Sequence, residues 1–154
     1  MIRYFFSFIL VTIFSFCSLD SMAYGTELSR NSFLVDGNLL PCSSKVACVV
    51  SSQEEDKFYI APISYHIEKN KAKEILLKVL TVVPRTQVIE TKENYIIAKA
   101  KGKFLGRIDD LEFYFPPDVS IIKMRSASRS NKFDLGLNRR RLEQIRLALK
   151  ELNV

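Results

Sequence analysis

The sequence has no tryptophan and a single histidine, His66, and it holds only five glycines and five prolines. It shows no glycine-rich phosphate loop, no nucleotide fingerprint and no Gly-x-Ser-x-Gly elbow. Those absences remove the usual sequence routes to nucleotide chemistry and to serine hydrolysis. His66 and the cysteines form no metal-ligand cluster of zinc type. No metal and no cofactor are therefore expected. After the amino-terminal segment no run is long and apolar enough to span a bilayer. No internal repeat or low-complexity tract is present.

What is there begins at the amino terminus. Arg3 is the only early charge, and an uncharged, mostly apolar run follows from Tyr4 to Cys17. As a helix that run rises about 21 Å, short of a hydrocarbon core of about 30 Å. Ser21 and Ala23 supply small residues at alternate positions. This pattern predicts a secretory signal over 1–23, cleaved after Ala23, with an uncleaved anchor as the alternative. Phe14 and Phe16 argue against lipoprotein cleavage at Cys17. The expected organisation is signal peptide 1–23, irregular lead-in 24–41, and one α+β domain over 42–154. The expected location is periplasmic or secreted, with no transmembrane segment after cleavage.

Arg3 and Asp20 leave together with the signal, so the net charge of +6 is kept. That excess favours anionic partners such as lipid head groups, acidic polysaccharide or phosphate. Export and the lack of a stripe of basic and stacking aromatic residues argue against nucleic acid. Cys42 and Cys48 remain after cleavage. In an oxidising compartment their default is a disulfide, worth about 2–2.5 kcal/mol in the chain-entropy model. A metal site is the alternative, although two thiolates and His66 fall short of four ligands.

Ala72, Ile75, Leu76, Val79, Leu80 and Val83 recur at helical spacing. They predict a helix capped by Asn70 and stopped by Pro84. Four strands follow, at about 86–91, 95–104, 108–115 and 119–128, with connections short enough to force antiparallel neighbours. A last helix over about 138–152 buries Leu142, Ile145, Leu149 and Leu152, with Asn138 as cap. The expected fold is two-layered α+β: a four-stranded antiparallel meander with two helices on one face, in the order αββββα. Short strands at 46–52 and 57–60 are weaker candidates. Taking Leu105-Gly106 and 116–119 as turns pairs Ala98 with Phe113 and Phe113 with Ile122. The same register pairs Ala100 with Leu111 and Leu111 with Met124. It sets Lys101, Asp110 and Arg125 in one outer row and Lys99, Glu112 and Lys123 in the next. A one-residue slip would put those charges into the core.

Three stretches look familiar: Asp109-Asp110-Leu111-Glu112-Phe113, Arg125-Ser126-Ala127-Ser128-Arg129, and Asp134-Leu135-Gly136-Leu137-Asn138-Arg139-Arg140-Arg141. They resemble the carboxy-terminal pattern of the domain-of-unknown-function 1499 family. Cys42 and Cys48 keep the spacing of that family's cysteine run, while Ser43, Val46 and Ala47 depart from it and Val50 is one residue extra. Phe58-Tyr59-Ile60-Ala61-Pro62 also fits. The resemblance covers about residues 40–150. It implies a shared domain and brings no activity with it.

Three constellations carry the candidate site. Asp110 and Glu112 share a strand face among cations, which predicts that both are ionised. Paired carboxylates can do acid–base chemistry, and a solvated ladder of ion pairs is the structural alternative. Arg125 and Arg129 share the outer face of the last strand and suit anion recognition. Ser126 and Ser128 turn inward, with Asp109 an expected acceptor for Ser126. Arg139, Arg140 and Arg141 fill the first turn of the last helix, where the dipole prefers acids. Asp134, Asp109, Asp110 or a bound anion would offset them. The expected binding set is thus Arg125, Ser126, Ser128, Arg129, Asn138, Arg139 and Arg141 with Asp109, Asp110 and Glu112. The expected function is a non-enzymatic envelope binding or accessory module for an anionic or polar ligand, or for another envelope protein. The alternative is a small hydrolase or transferase using Asp109, Asp110 or Glu112 with Arg125 and Arg129.

Overall fold

A computed structural model describes residues 34–42, 47–52, 57–102, 106–130 and 134–154. The signal-like segment 1–23 and residues 24–33 of the lead-in lie outside the described residues. Among the described residues no helix is long and apolar enough to cross a membrane.

The rest of the lead-in is ordered by one turn. Leu34–Val35 (β1) pairs with Asn38–Leu39 (β2) around Asp36 and Gly37, whose φ angles are 49° and 71°. Two successive positive φ values make the type I′ turn that Asp-Gly favours. Cys48–Val50 (β3) and Ile63–Ser64 (β4) follow, then the helix Lys69–Val82 (α1). Glu68, rather than Asn70, caps α1: its carboxylate accepts from the N–H groups of Asn70 and Lys71 at 2.9 and 3.0 Å. The remaining elements are Thr86–Thr91 (β5), Tyr95–Lys101 (β6), Ile108–Tyr114 (β7), Ile121–Ser128 (β8) and Leu137–Glu151 (α2).

The expected four-stranded αββββα meander is corrected. The main sheet has six strands in the order β3-β8-β7-β6-β5, with β4 also pairing β8, and β1-β2 forms a separate two-stranded sheet. β3 and β4 lie one beyond the other along β8, opposite residues 125–127 and 121–122. β3 falls within the candidate strand 46–52, whereas β4, at two residues, is too short to show an alternating pattern.

The expected register is also corrected, by two residues in each hairpin. Ala98 pairs with Leu111, Leu111 with Ser126, and Phe113 with Met124. Gly102 donates to the Arg107 carbonyl at 2.7 Å, so the first hairpin closes outside Leu105-Gly106. Residues 103–105 of that turn lie outside the described residues. In the second hairpin Pro116 and Pro117 lack the N–H that pairing needs, and Tyr114 pairs with Lys123. A shift of two keeps every side chain on its own face, because strand side chains alternate with period two. The charge rows do change: Lys99, Asp110 and Ala127 form one, and Ile97, Glu112 and Arg125 the next.

Ile96, Ala98, Leu111, Phe113, Ile122 and Met124 face the helices, which add Ala72, Leu76, Leu80, Leu142, Ile145 and Leu149. Leu152, expected in this core, is half exposed, and Val154 is buried instead. On the opposite face Tyr95, Ile97 and Tyr114 pack with Val50 and Leu39, so the hairpin β1–β2 covers part of the side expected to be solvated. Ser52 Oγ donates to the Leu39 carbonyl and Lys123 Nζ to Asn38 Oδ1, which holds the hairpin down. Cys42 and Cys48 form a disulfide, which rules out the alternative of a metal site for this pair.

Candidate functional site

Three acids of β7 fall within four positions, and the strand period divides them. Asp109 faces the helices; Asp110 and Glu112 face away. Asp110 and Glu112, the pair named for acid–base chemistry, thus share one face as expected, and Asp109 lies on the other.

On the helix side Asp109 is fully buried between two arginines. Arg107, two residues back on the same face, donates to Asp109 from Nε at 2.9 Å and from Nη2 at 3.2 Å. Arg141 of α2 donates from Nη2 at 3.0 Å. Arg107 also lies 3.7 Å from Asp134, whose carboxylate accepts from the N–H groups of Gly136 and Asn138 at 2.8 and 2.9 Å. Asp134 thus holds the first turn of α2, whose N-cap is Gly136, and supplies negative charge where the dipole favours it. Asn138 sits at the second helical position and does not act as cap. Its buried amide joins three elements instead. Oδ1 accepts from Ser126 Oγ at 2.6 Å and from Arg141 Nη1 at 3.2 Å, while Nδ2 donates to the Ala47 carbonyl at 3.0 Å. Ser126 therefore donates to Asn138, not to Asp109 as expected. Ser128 shares a hydrogen bond with Ser130 at 3.1 Å.

On the other face Glu112 is fully buried. Arg125 Nη1 donates to it at 2.6 Å and the Tyr95 hydroxyl at 2.9 Å. Burial pushes the Glu112 carboxyl above its usual range, while Arg125 and then Tyr95 pull it back and Asp110 adds to the rise. Desolvation outweighs the cationic neighbours, which by themselves would lower this carboxyl. Burial also pushes the Tyr95 phenol far up, so it remains a donor. Arg125 Nε is buried with no hydrogen-bond partner among the described residues. Asp110 accepts from Arg129 Nε and Nη2 at 3.0 and 2.9 Å, in a pair half open to solvent on the arginine side.

The predicted binding arginines thus divide. Arg125 and Arg141 point inward to buried acids, and Arg129 lies along the surface against Asp110. Arg139 reaches outward, donating to the Lys57 carbonyl at 3.2 Å, and Arg140 is exposed. Neither has a carboxylate partner among the described residues. Sequence reasoning missed Arg107 and Tyr95. Period two from Asp109 would have found Arg107; nothing local marks Tyr95, whose partner Glu112 is seventeen residues away.

A cleft of about 520 Å³ lies away from this network, lined by Ile63, Ser64, His66, Arg146, Lys150, Asn153 and Val154. Arg146 is committed there to Glu143 and to the carbonyls of Pro62 and Ala61. Among the described residues no group of three or more His, Cys, Asp or Glu is placed to hold a metal ion.

The family described as protein of unknown function (DUF1499) matches residues 38–149, from β2 through all but the last two residues of α2. No curated protein and no solved structure matches the chain.

Proposed function

The chain belongs to the DUF1499 family, and from that premise we propose that it is an exported, non-enzymatic binding module. Its buried ion pairs hold the scaffold, and its outward arginines engage an anionic partner. The observation that carries this reading is the division of the arginines. Arg107, Arg125 and Arg141 answer buried acids at 2.6–3.0 Å. Arg139, half-buried against the Lys57 carbonyl, and exposed Arg140 leave the same helix end with no acid partner among the described residues. A charge that the fold neutralises stabilises the fold; a charge left in water is available to a partner. The disulfide supports export, because such bonds persist in oxidising compartments.

The hydrolase or transferase alternative draws on one observation, the raised carboxyl of Glu112. A general acid must reach its substrate. Glu112 is fully buried and held by Tyr95 and Arg125, which supports the binding reading.

The test uses a sulfated polysaccharide, heparin, as the probe. The full chain is expected to be retained on immobilised heparin, and an Arg139→Gln/Arg140→Gln variant is expected to elute at clearly lower salt. Equal elution of the two proteins would reject the outward arginines as the binding edge.

A further inference from the structure

The turn that opens α2 holds a leucine where leucine does not belong. Leu135 has φ of 53° and Gly136 has φ of 72°. A left-handed conformation suits glycine and, less often, asparagine; a leucine there is strained. The Asp134 carboxylate pins this geometry from both sides through the N–H groups of Gly136 and Asn138. The strain does not serve the core, because Leu135 is 68% exposed. Leu137, two residues on, is 39% exposed, and Tyr59 is 38% exposed.

These apolar groups stand beside the outward cations. Arg139 bonds to the Lys57 carbonyl, which brings the 57–59 segment against the start of α2. Phe58 and Ile60 turn inward while Tyr59 turns out between them. Lys57 and Arg140 are both exposed. The same edge therefore carries Leu135, Leu137 and Tyr59 with Lys57, Arg139 and Arg140.

We propose that this edge docks on the surface of an anionic lipid bilayer, with Leu135 and Leu137 entering the acyl boundary and the arginines at the phosphates. The inference rests on reading Arg139 and Arg140 as an anion-binding edge, and it names the anion. Exposed apolar groups flanked by cations are the combination that interfacial binding uses. A protein partner would more often be met by a contiguous apolar patch with packed anchors. Glu54, Glu55 and Asp56 precede Lys57 in sequence and lie outside the described residues.

The chain has no tryptophan, so Leu135→Trp is a single reporter. Val82→Trp is its control: Val82 is 77% exposed on α1, which packs at the β5 side, away from the sheet edge formed by β3. Each full-length variant is titrated with vesicles of phosphatidylcholine alone and with equimolar phosphatidylglycerol. Emission of Leu135→Trp is expected to shift to the blue with the mixed vesicles only, and Val82→Trp is expected not to shift. Adding Arg139→Gln to the Leu135→Trp reporter is expected to weaken vesicle binding about fivefold. In sedimentation, Leu135→Asn is expected to weaken it about tenfold or more. No shift at Leu135→Trp, an equal shift with both vesicle types, or an equal shift at Val82→Trp overturns the proposal. The last pattern would place binding elsewhere, including the apolar amino terminus. Heparin retention without any vesicle shift overturns the bilayer alone; loss of both overturns the anion-binding edge as well.

Discussion

Asp109 and Asp110 are adjacent in sequence and serve opposite faces of the sheet. Asp109 is enclosed by Arg107 and Arg141, whereas Asp110 meets Arg129, whose side chain is 51% exposed. Removing one partner of a buried pair strands the other charge, at about 3–5 kcal/mol, while surface pairs are worth about 0–1 kcal/mol. Asp109→Ala is therefore expected to lower the melting temperature by more than about 10 °C. Asp110→Ala is expected to lower it only slightly. Differential scanning calorimetry distinguishes them, and similar losses would contradict the assignment of the two faces.

Asn138 uses both ends of its amide, and this gives a second expectation. Asn138→Asp would add a counter-ion for Arg141 but lose the donor to the Ala47 carbonyl. That carbonyl also accepts from the Ser128 N–H at 2.9 Å. A carboxylate facing it would be repelled, and buried unsatisfied groups cost about 1–3 kcal/mol. Denaturant unfolding is expected to show Asn138→Asp less stable than the parent at pH 7. A gain in stability would mean that charge outweighs the amide bridge.

Glu112 sets a pH dependence. It faces Tyr95 from β6, Arg125 from β8 and the charge of Asp110 on its own strand. Its folded carboxyl titrates above the unfolded value, so the folded state holds the proton longer as pH rises. Its contribution is present below the ordinary carboxylate range and is lost as pH rises through its folded pKa. Glu112→Gln is expected to flatten the fall in stability over that window. Parallel stability–pH curves for the two proteins would show that Glu112 titrates alike in the folded and unfolded states, contrary to the raised carboxyl.

The disulfide yields a fourth expectation. It ties the end of the hairpin segment to β3, next to the cluster of Leu39, Val50, Tyr95 and Tyr114. Reduction, or Cys42→Ser/Cys48→Ser, is expected to cost about 2 kcal/mol. It should raise hydrogen exchange at β1 and β2 more than at β7. Uniform exchange across the sheet would mean that the hairpin is held by packing alone.

Parts of this architecture were legible in the sequence for a physical reason. Long amphipathic elements repeat their period often enough to be read, so α1, α2 and the residues of β5 to β8 could be placed. β4 is too short to repeat, and the type I′ signature of Asp36-Gly37 spans only two residues in an otherwise irregular stretch. Register depended on turn closure, which Gly102, Arg107 and the Pro116-Pro117 pair determine through bonds that no local pattern announces. At the candidate site the residue types were readable and their directions were not. Whether an arginine answers an acid inside or stands in water depends on pairings such as Arg141 with Asp109, thirty-two residues apart.

The central claim is that the arginines at the start of α2 divide into structural and binding members. Heparin affinity and melting temperature, measured on Arg141→Gln and on Arg139→Gln/Arg140→Gln, address it together. The account predicts a lower melting temperature with affinity kept for Arg141→Gln, and lost affinity with the melting temperature kept for the double variant. The reverse pattern, or both properties falling together in both variants, would contradict it.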